Sequence, residues 1–294
     1  MMVLEFQTAI KYKRKFISGR RNHLVALQNF LQAGIFENYV LYEGKNEIRI
    51  AGNELAKVSV SQDLVSVKGV GKSFSEPATE PFKQVEKMLA KLPIEDWTAY
   101  GYVAFDMARF YSDYAKSIEQ DSLYFLIPEI ELIFTDEGVC IRSTKSIEQV
   151  EEILLLDAQL PDYQAADLRL DFSDRTNYQQ KISELITAIQ KDELQKAIIS
   201  RSVRIPGNLD VLGTYIVGAK VNNAARSYCL NIGDVRAVGF SPETLIEVYD
   251  DGFIVTNPLA GTRPRSETKQ KIHSLHTNYL LMPKKLKNTL FLFG

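Results

Sequence analysis

Three separated groups of residues in the second half of the chain carry side chains suited to proton transfer and carboxylate binding. Lys196 opens a run rich in β-branched residues, Glu243 follows Pro242 at a corner between apolar runs, and a small-residue loop begins at Pro258. Desolvation lowers the pKa of a lysine and makes it a general base. A glutamate whose pKa is raised acts as a general acid. Together the three groups predict a site for acid–base chemistry.

The loop has a composition that lets backbone approach a ligand closely. It reads Pro-Leu-Ala-Gly-Thr-Arg-Pro-Arg over residues 258–265 and follows a β-like run at 253–256. Ala260 and Gly261 have almost no side chain, so their N–H groups can reach a bound anion. Thr262 adds a hydroxyl, and the two arginines add guanidinium groups that fit carboxylates.

Each group also has a simpler interpretation when it is taken alone. Lys196 can be a strand-end lysine in solvent, and Glu243 an exposed turn glutamate. The loop can be a tight turn after an edge strand with two surface arginines. Only the occurrence of all three in one chain favours a shared site.

Composition excludes several classes of protein. The 294 residues are 45% hydrophobic and 24% charged with a net charge of −2, values typical of a soluble protein without the basic field that nucleic acid requires. No apolar run reaches the roughly 18 residues of a membrane span. Two cysteines and three histidines disfavour a disulfide framework, a zinc cluster and a histidine-based triad. We expect a cytoplasmic protein with no nucleic-acid or membrane partner, in which carboxylates would hold any metal, as suits Mg²⁺.

The pattern of apolar residues predicts an α+β fold with a largely antiparallel sheet. Amphipathic helices are expected over 80–92, 147–156, 178–189 and 211–221. The predicted strands are 39–42, 48–50, 97–105, 123–128, 131–134, 139–142, 196–204, 226–231, 235–240, 244–249 and 253–256.

The order of the three groups resembles the chorismate-utilising enzymes: anthranilate, aminodeoxychorismate, isochorismate and salicylate synthases. The motifs are Lys-x-x-x-Ser-Arg from Lys196, Gly-Phe-Ser-Pro-Glu ending at Glu243, and Pro-Leu-Ala-Gly-Thr-Arg from Pro258. The resemblance is most specific over 177–265 and weaker upstream, at 100–105 and 131–134. It implies a layered α/β sandwich of the anthranilate synthase component I type, with large, mainly antiparallel sheets that are incomplete at the C-terminus.

The resemblance also implies a role for each group. Lys196 would activate a nucleophile that adds at C2 of chorismate, and Glu243 would protonate the departing 4-hydroxyl. The backbone of Leu259, Ala260, Gly261 and Thr262 would receive a ring carboxylate. Mg²⁺ would bind the other carboxylate through glutamates that lie further on in the family, so no metal ligand is expected within this sequence. The expected partner is the small-molecule substrate chorismate, and the expected state is a monomer.

Two residues indicate which kind of synthase in the family the chain resembles. Members that add ammonia usually carry Gln at the position of Lys196, whereas members that add water carry Lys, because water needs a base. Arg263 after Gly261-Thr262 resembles salicylate synthase more than isochorismate synthase. Salicylate synthase, which makes isochorismate and then eliminates pyruvate in siderophore biosynthesis, is therefore expected first. Isochorismate synthase is the alternative, and a non-catalytic chorismate-binding remnant is another.

The tail departs from the family pattern. Residues 286–294 read Leu-Lys-Asn-Thr-Leu-Phe-Leu-Phe-Gly. These residues can be encoded by a nucleotide sequence that, read in a frame starting one base earlier, gives Ile-Lys-Glu-His-Ala-Ile-Ser-Val-Arg. That peptide resembles a family helix with a metal-ligating Glu. A one-base frameshift near Lys284-Lys285 is the hypothesis, and a natural short homologue is the alternative.

The expected organisation has three parts. They are an N-terminal α+β region over 1–172, the first part of a chorismate-binding domain over 173–265, and an aberrant tail over 266–294. The truncated chain is expected to be inactive.

Overall fold

The computed structural model places most of the chain. It describes residues 9–112, 121–164, 175–195, 197, 199–203 and 209–257. Contacts divide the chain into two compact units, residues 1–164 with 210–241 and residues 165–209 with 242–294. The domain boundaries inferred from the sequence stay predictions.

The helices and strands confirm the expected mixture of both types. In chain order they are β1 (Lys13–Ser18), α1 (His23–Gln32), β2 (Tyr39–Glu43), β3 (Ile48–Ser61), β4 (Leu64–Gly69), β5 (Lys72–Pro77), α2 (Pro81–Ala90), β6 (Tyr100–Val103), a 3₁₀ helix (Phe105–Phe110), β7 (Leu123–Phe134), β8 (Gly138–Ser143), α3 (Ile147–Leu154), α4 (Arg175–Gln190), α5 (Val211–Ala219), β9 (Arg226–Ile232), β10 (Val235–Ser241), β11 (Thr244–Val248) and β12 (Ile254–Asn257).

One large antiparallel sheet organises the first unit. Within the described residues it holds ten strands, and its main path runs β1-β8-β7-β3-β2-β9-β10. β4 and β5 extend from β3, and β6 pairs with β7. The hairpins β2–β3 and β9–β10 lie side by side, because β2 pairs with β9. The predicted α+β class with a large, mainly antiparallel sheet is confirmed.

The strand β7 differs from the sequence prediction of two strands. It runs without a break over Leu123–Phe134, although Pro128 lacks the N–H that a ladder needs. The neighbouring β3 has a register shift between Glu54 and Ala56, opposite Pro128. A bulge leaves a residue outside the ladder, so the proline is tolerated and the two predicted strands become one.

Three helices cover one face of this sheet. α1, α3 and α5 begin at the caps Asn22, Ser146 and Asp210, whose side chains accept hydrogen bonds from N–H groups of the first turn. Their buried residues pack against the sheet in one cluster, which includes Leu27, Phe30, Val150, Tyr215, Leu41, Leu132 and Ile141. The amphipathic helix α2 is also present and packs against β3 and β4.

The second unit contains the helix α4 and the hairpin β11–β12 among its described residues. α4 was expected from the apolar spacing between 178 and 189. The hairpin pairs Val248 with Ile254 across the turn at Asp250–Gly252, and Gly252 has a φ of +81°, which a glycine adopts without strain. In the described part of the chain, no helix is long and apolar enough to cross a membrane.

Candidate functional site

Glu243 lies in the short connection between β10 and β11, and its side chain is exposed. Pro242 precedes it and cannot donate a ladder hydrogen bond. β10 ends at Ser241, and β11 begins at Thr244 in a different sheet. The corner that the sequence predicts at Pro242 is therefore confirmed, and it places the carboxyl of Glu243 outside any regular ladder.

The hairpin brings Glu243 close to the start of the predicted carboxylate loop. Thr244, the residue after Glu243, pairs with Asn257 in the antiparallel register. Paired residues in such a ladder have Cα atoms about 5 Å apart. Asn257 is the last residue of β12 and directly precedes Pro258. The proposed acid and the entrance to the loop thus lie at one end of a two-stranded hairpin.

The other predicted site residues lie outside the described residues. These are the base Lys196 and the carboxylate-binding Leu259, Ala260, Gly261 and Thr262. Their roles stay predictions.

A contact from α4 holds the segment that follows Lys196. The hydroxyl of Tyr178 donates a hydrogen bond of 3.1 Å to the carbonyl oxygen of Ile199. The guanidinium of Arg201 lies 5.4 Å from the centre of the Tyr178 ring, within the range of a cation–π contact. The motif around Ser200 and Arg201 is therefore anchored on a helix through one aromatic side chain.

The strand predicted over 196–204 is absent from the described residues of that segment. Residues 197 and 199–203 lie in no strand. A β-branched run becomes a strand only where another strand pairs with it. None of the described strands pairs with these residues, so the propensity of the run alone does not produce a ladder.

A buried cluster of charged groups lies on the sheet of the first unit, away from the predicted site residues in sequence. Glu131 of β7 is 1% exposed and accepts hydrogen bonds from Arg49 of β3 (3.0 Å), from Arg142 of β8 and from the hydroxyl of Tyr100. Burial, and then the charge of Glu131, raise the pKa of Tyr100, so the phenol stays a hydrogen-bond donor. Buried charges require such partners, because desolvation of an unpaired ion is costly.

Sequence reasoning did not identify this cluster. The available signal was one charged residue inside each of three predicted strands, namely Arg49 in 48–50, Glu131 in 131–134 and Arg142 in 139–142. A charge on the inward face of a strand predicts a partner on the neighbouring strand. The prediction needed the order β3-β7-β8, which the sequence alone does not provide.

A second polar cluster joins helices to the opposite side of the sheet. The ring nitrogen Nε2 of His23 lies 2.8 Å from a carboxylate oxygen of Glu43, and the hydroxyls of Tyr215 and Ser227 lie 3.0 Å apart. Burial opposes ionisation of Glu43, but hydrogen bonds from His23, Tyr215 and Ser227 outweigh it and lower the pKa of that carboxyl. The cluster ties α1 and α5 to β2 and β9.

The described side chains do not form a metal site. No group of three or more His, Cys, Asp or Glu among them is placed to hold a metal ion. The Mg²⁺ that the family resemblance implies stays a prediction, because the glutamates expected to bind it lie further on in the family than this sequence.

Comparison with known protein families gives one match that covers most of the chain. A family described as chorismate binding enzyme matches residues 37–288. The matched range includes Lys196, Glu243 and the loop at 258–262.

Individual relatives of the chain are synthases of two kinds. Salicylate synthase of Mycolicibacterium paratuberculosis is 26% identical over 230 residues, which is 77% of this chain and 51% of that protein. Anthranilate synthase component 1 of Halobacterium salinarum is 38% identical over 92 residues, 31% of this chain and 17% of that protein. The chain thus spans about half the length of the salicylate synthase that it matches.

Solved structures with the same fold also come from two kinds of synthase. Anthranilate synthase component I of Streptococcus pneumoniae aligns with a TM-score of 0.61 at 17% identity, covering 83% of this chain and 59% of that one. The menaquinone-specific isochorismate synthase of Escherichia coli aligns with a TM-score of 0.57 at 14% identity, covering 98% of this chain and 63% of that one. These likenesses confirm the fold of the anthranilate synthase component I type that the motifs imply.

Proposed function

Because the chain belongs to the chorismate-binding enzyme family, we propose that it is part of a salicylate synthase that converts chorismate to salicylate by way of isochorismate. The relative that supports this choice is the salicylate synthase that matches 77% of the chain. The type of residue at position 196 also supports it, because a lysine can activate water and a glutamine cannot.

The observation that carries the proposal is the hairpin register at Glu243. Thr244 pairs with Asn257, so a carboxyl group and the start of a loop with small side chains share one end of the hairpin. A dicarboxylate substrate needs N–H donors at a carboxylate and an acid at the leaving hydroxyl. This geometry supplies an acid next to a segment whose composition suits the donors.

The proposed reaction uses the chain's own groups in two roles. Lys196, as a neutral amine, takes a proton from water, and the water oxygen forms a bond to C2 of chorismate. The ring double bonds shift, the bond from C4 to its hydroxyl breaks, and Glu243 gives its proton to the departing oxygen, which leaves as water. In the second step the bond from C3 of isochorismate to the enolpyruvyl oxygen breaks, the hydrogen at C2 passes to the methylene carbon of that side chain, and pyruvate leaves the aromatic salicylate. Water consumed and water released balance in the first step.

The 294 residues by themselves are expected to bind chorismate with negligible turnover. They span about half the length of the matching salicylate synthase, and the described residues contain no group suited to Mg²⁺. Incubation with chorismate and Mg²⁺, followed by salicylate fluorescence, checks this expectation. Salicylate production at rates typical of enzymes would contradict it.

Sequencing the gene downstream of codon 280 shows whether the family domain continues in another reading frame, and the longer protein then allows the product to be identified. If the other frame continues the family domain, the longer protein can be made and its products separated by chromatography. Salicylate and pyruvate in equal amounts are the expected products. Isochorismate that accumulates without pyruvate would favour the isochorismate synthase alternative. If the longer protein turns over no chorismate at all, the proposed function is wrong.

A further inference from the structure

The first unit contains a cavity where the helix α3 meets the strands β3 and β7. Its volume is about 380 Å³, near the lower end of the range of roughly 300–1,000 Å³ of small-molecule sites. Its lining comes from the residues that follow α1, from β3 and β7, and from α3 and the residues before it, all in the first unit. The roles proposed above for Lys196, Glu243 and the 258–262 loop do not use this cavity.

The apolar part of the lining is aliphatic. Ile35, Ile130, Val150 and Ile153 supply it, and the last three are buried. Among the described residues, no aromatic side chain lines the cavity. Branched aliphatic side chains offer contact surface without a flat ring on which another ring could stack, so the lining favours an alkyl group over an aromatic one.

Glu129 supplies a carboxylate to the same lining. Its Oε1 lies 2.8 Å from Nζ of Lys145, and the Glu129 side chain is 20% exposed whereas that of Lys145 is 55% exposed. Among the described side chains, only Lys145 forms an ion pair with Glu129. A carboxylate that is largely removed from water needs a cation beside it. Lys145 can be replaced in that role at little cost, because half-exposed ion pairs contribute little to stability.

A second carboxylate lies at the start of α3, next to the cavity. Ser146, which lines the cavity and caps the helix, donates a hydrogen bond of 2.7 Å to the carboxylate of Glu148. This bond, followed by one from the backbone N–H of Glu148 itself, lowers the pKa of that carboxyl. The ionised carboxylate offsets the positive end of the helix dipole, so the surroundings of Glu129 favour a cation.

From these features we infer that the cavity is a binding site for a small aliphatic monoamine. The ammonium group takes the place of the Lys145 ammonium and donates hydrogen bonds to the carboxylate of Glu129, while Lys145 turns toward solvent. The alkyl chain lies against the aliphatic part of the lining. A second ammonium at the far end of the chain would be desolvated there without a partner, so the cavity selects against diamines.

Calorimetric titration of the 294-residue chain with hexylamine at neutral pH tests the inference. Hexylamine is expected to bind at millimolar concentration, and methylamine, which keeps the charge but lacks the chain, at least about 10-fold more weakly. 1-Hexanol lacks the charge and 1,6-diaminohexane carries a second one, so each is also expected to bind at least about 10-fold more weakly. Benzylamine, with a flat ring, is expected to bind about 3-fold more weakly. Any of these four probes binding as tightly as hexylamine, or no binding of hexylamine at millimolar concentration, would overturn the inference.

Variants with opposite expected signs make the test sharper. Glu129→Gln is expected to weaken hexylamine binding at least about 10-fold, and Glu95→Gln, at the exposed pair with Lys11, to leave it unchanged. Lys145→Met removes the competing ammonium and is expected to tighten binding by about 2- to 5-fold. Unchanged affinity in Glu129→Gln, or weaker binding in Lys145→Met, would overturn the inference.

Filling the cavity separates it from other carboxylates of the chain. Ile35→Trp, at a half-buried residue of the lining, is expected to abolish hexylamine binding, and Leu155→Trp, at an exposed residue outside the lining, to leave it unchanged. Glu243→Gln is also expected to leave it unchanged. Binding that is lost in Glu243→Gln and kept in Ile35→Trp would place the amine at the proposed acid, and would overturn the cavity site while leaving the proposed function intact. Circular dichroism confirms folding, and if Glu129→Gln fails to fold, Ile35→Trp and Lys145→Met decide.

Discussion

Two consecutive hairpins with similar apolar patterns have different surroundings in this protein. In β9–β10, Cys229 is fully buried in the cluster that contains α5, and Ile232 is fully buried in a second cluster with Tyr124 and Leu126. In β11–β12, Leu245 is 84% exposed and Ile246 is 60% exposed, and among the described strands the hairpin pairs only with itself. A period-two pattern therefore predicts that a hairpin forms, whereas burial depends on which strand or helix lies next to it.

The residues that stabilise the fold and the residue proposed to act in the reaction lie in different units of the protein. The sheet of the first unit holds the buried charges and the large core. The proposed acid Glu243 lies on the exposed hairpin of the second unit. An exposed apolar surface next to functional groups is typical of a binding region. Substitutions in the two regions are therefore expected to affect different measurements.

The largest effect is expected at the buried Glu131. Glu131→Ala leaves the guanidinium groups of Arg49 and Arg142 without their common partner and should lower the free energy of unfolding by about 3–5 kcal/mol. Urea denaturation followed by circular dichroism measures the change. Glu95→Ala, at the exposed pair with Lys11, is the control and should cost less than about 1 kcal/mol. Equal effects of the two substitutions would show that the buried cluster does not stabilise the sheet.

Matched truncations compare the two hairpins directly. Ile232→Ala, at a fully buried residue of β9, should lower the free energy of unfolding by about 2–5 kcal/mol. Ile246→Ala, at the 60% exposed residue of β11, should change it by no more than about 0.5 kcal/mol. A large loss at Ile246 would mean that β11–β12 is buried in solution, and the contrast between the hairpins would then be wrong.

A smaller, pH-dependent effect is expected at Glu43. Its pKa in the folded protein lies below the ordinary value of 4.5, so the ionised form contributes stability above that pH, and the contribution is lost as pH falls through the folded pKa. Glu43→Gln should cost about 1 kcal/mol at pH 7, and the difference from wild type should shrink at acidic pH. Thermal unfolding measured from pH 7 to pH 3 checks this. A difference that grows toward low pH would contradict the stated direction.

The smallest effect on stability is expected at the proposed acid. Glu243 is exposed, so Glu243→Gln should change the free energy of unfolding by less than about 0.5 kcal/mol. Urea denaturation checks this value, with Asp250→Asn at the other end of the same hairpin as the control. A loss comparable to that of Glu131→Ala would assign Glu243 a structural role.

Local patterns predicted much of the fold. The strands β2 and β3 followed from the apolar runs at 39–42 and 48–50, and α2 from its amphipathic spacing. The break expected at Pro128 did not occur, because the partner strand has a bulge there. The strand expected over 196–204 failed in its described residues, because strand formation depends on a pairing partner that sequence spacing does not reveal.

The candidate site was predictable only where a local signal existed. Pro242 located the corner that carries Glu243, and the structure confirms that corner. The pairing of Thr244 with Asn257 needed the register of a hairpin with a bulge between Thr244 and Glu247. The cluster around Glu131 joins strands that are distant in sequence, so only the topology shows that its charges meet.

Chorismate titration of the 294-residue chain and its Glu243→Ala variant tests the central claim most directly. Wild type is expected to bind chorismate, Glu243→Ala to bind it at least about 10-fold more weakly through loss of a hydrogen bond to the substrate, and Asp250→Asn to bind it as wild type does. Calorimetry with and without Mg²⁺ gives each affinity. Absence of chorismate binding, or equal affinities for all three proteins, would contradict a chorismate site at this end of the hairpin.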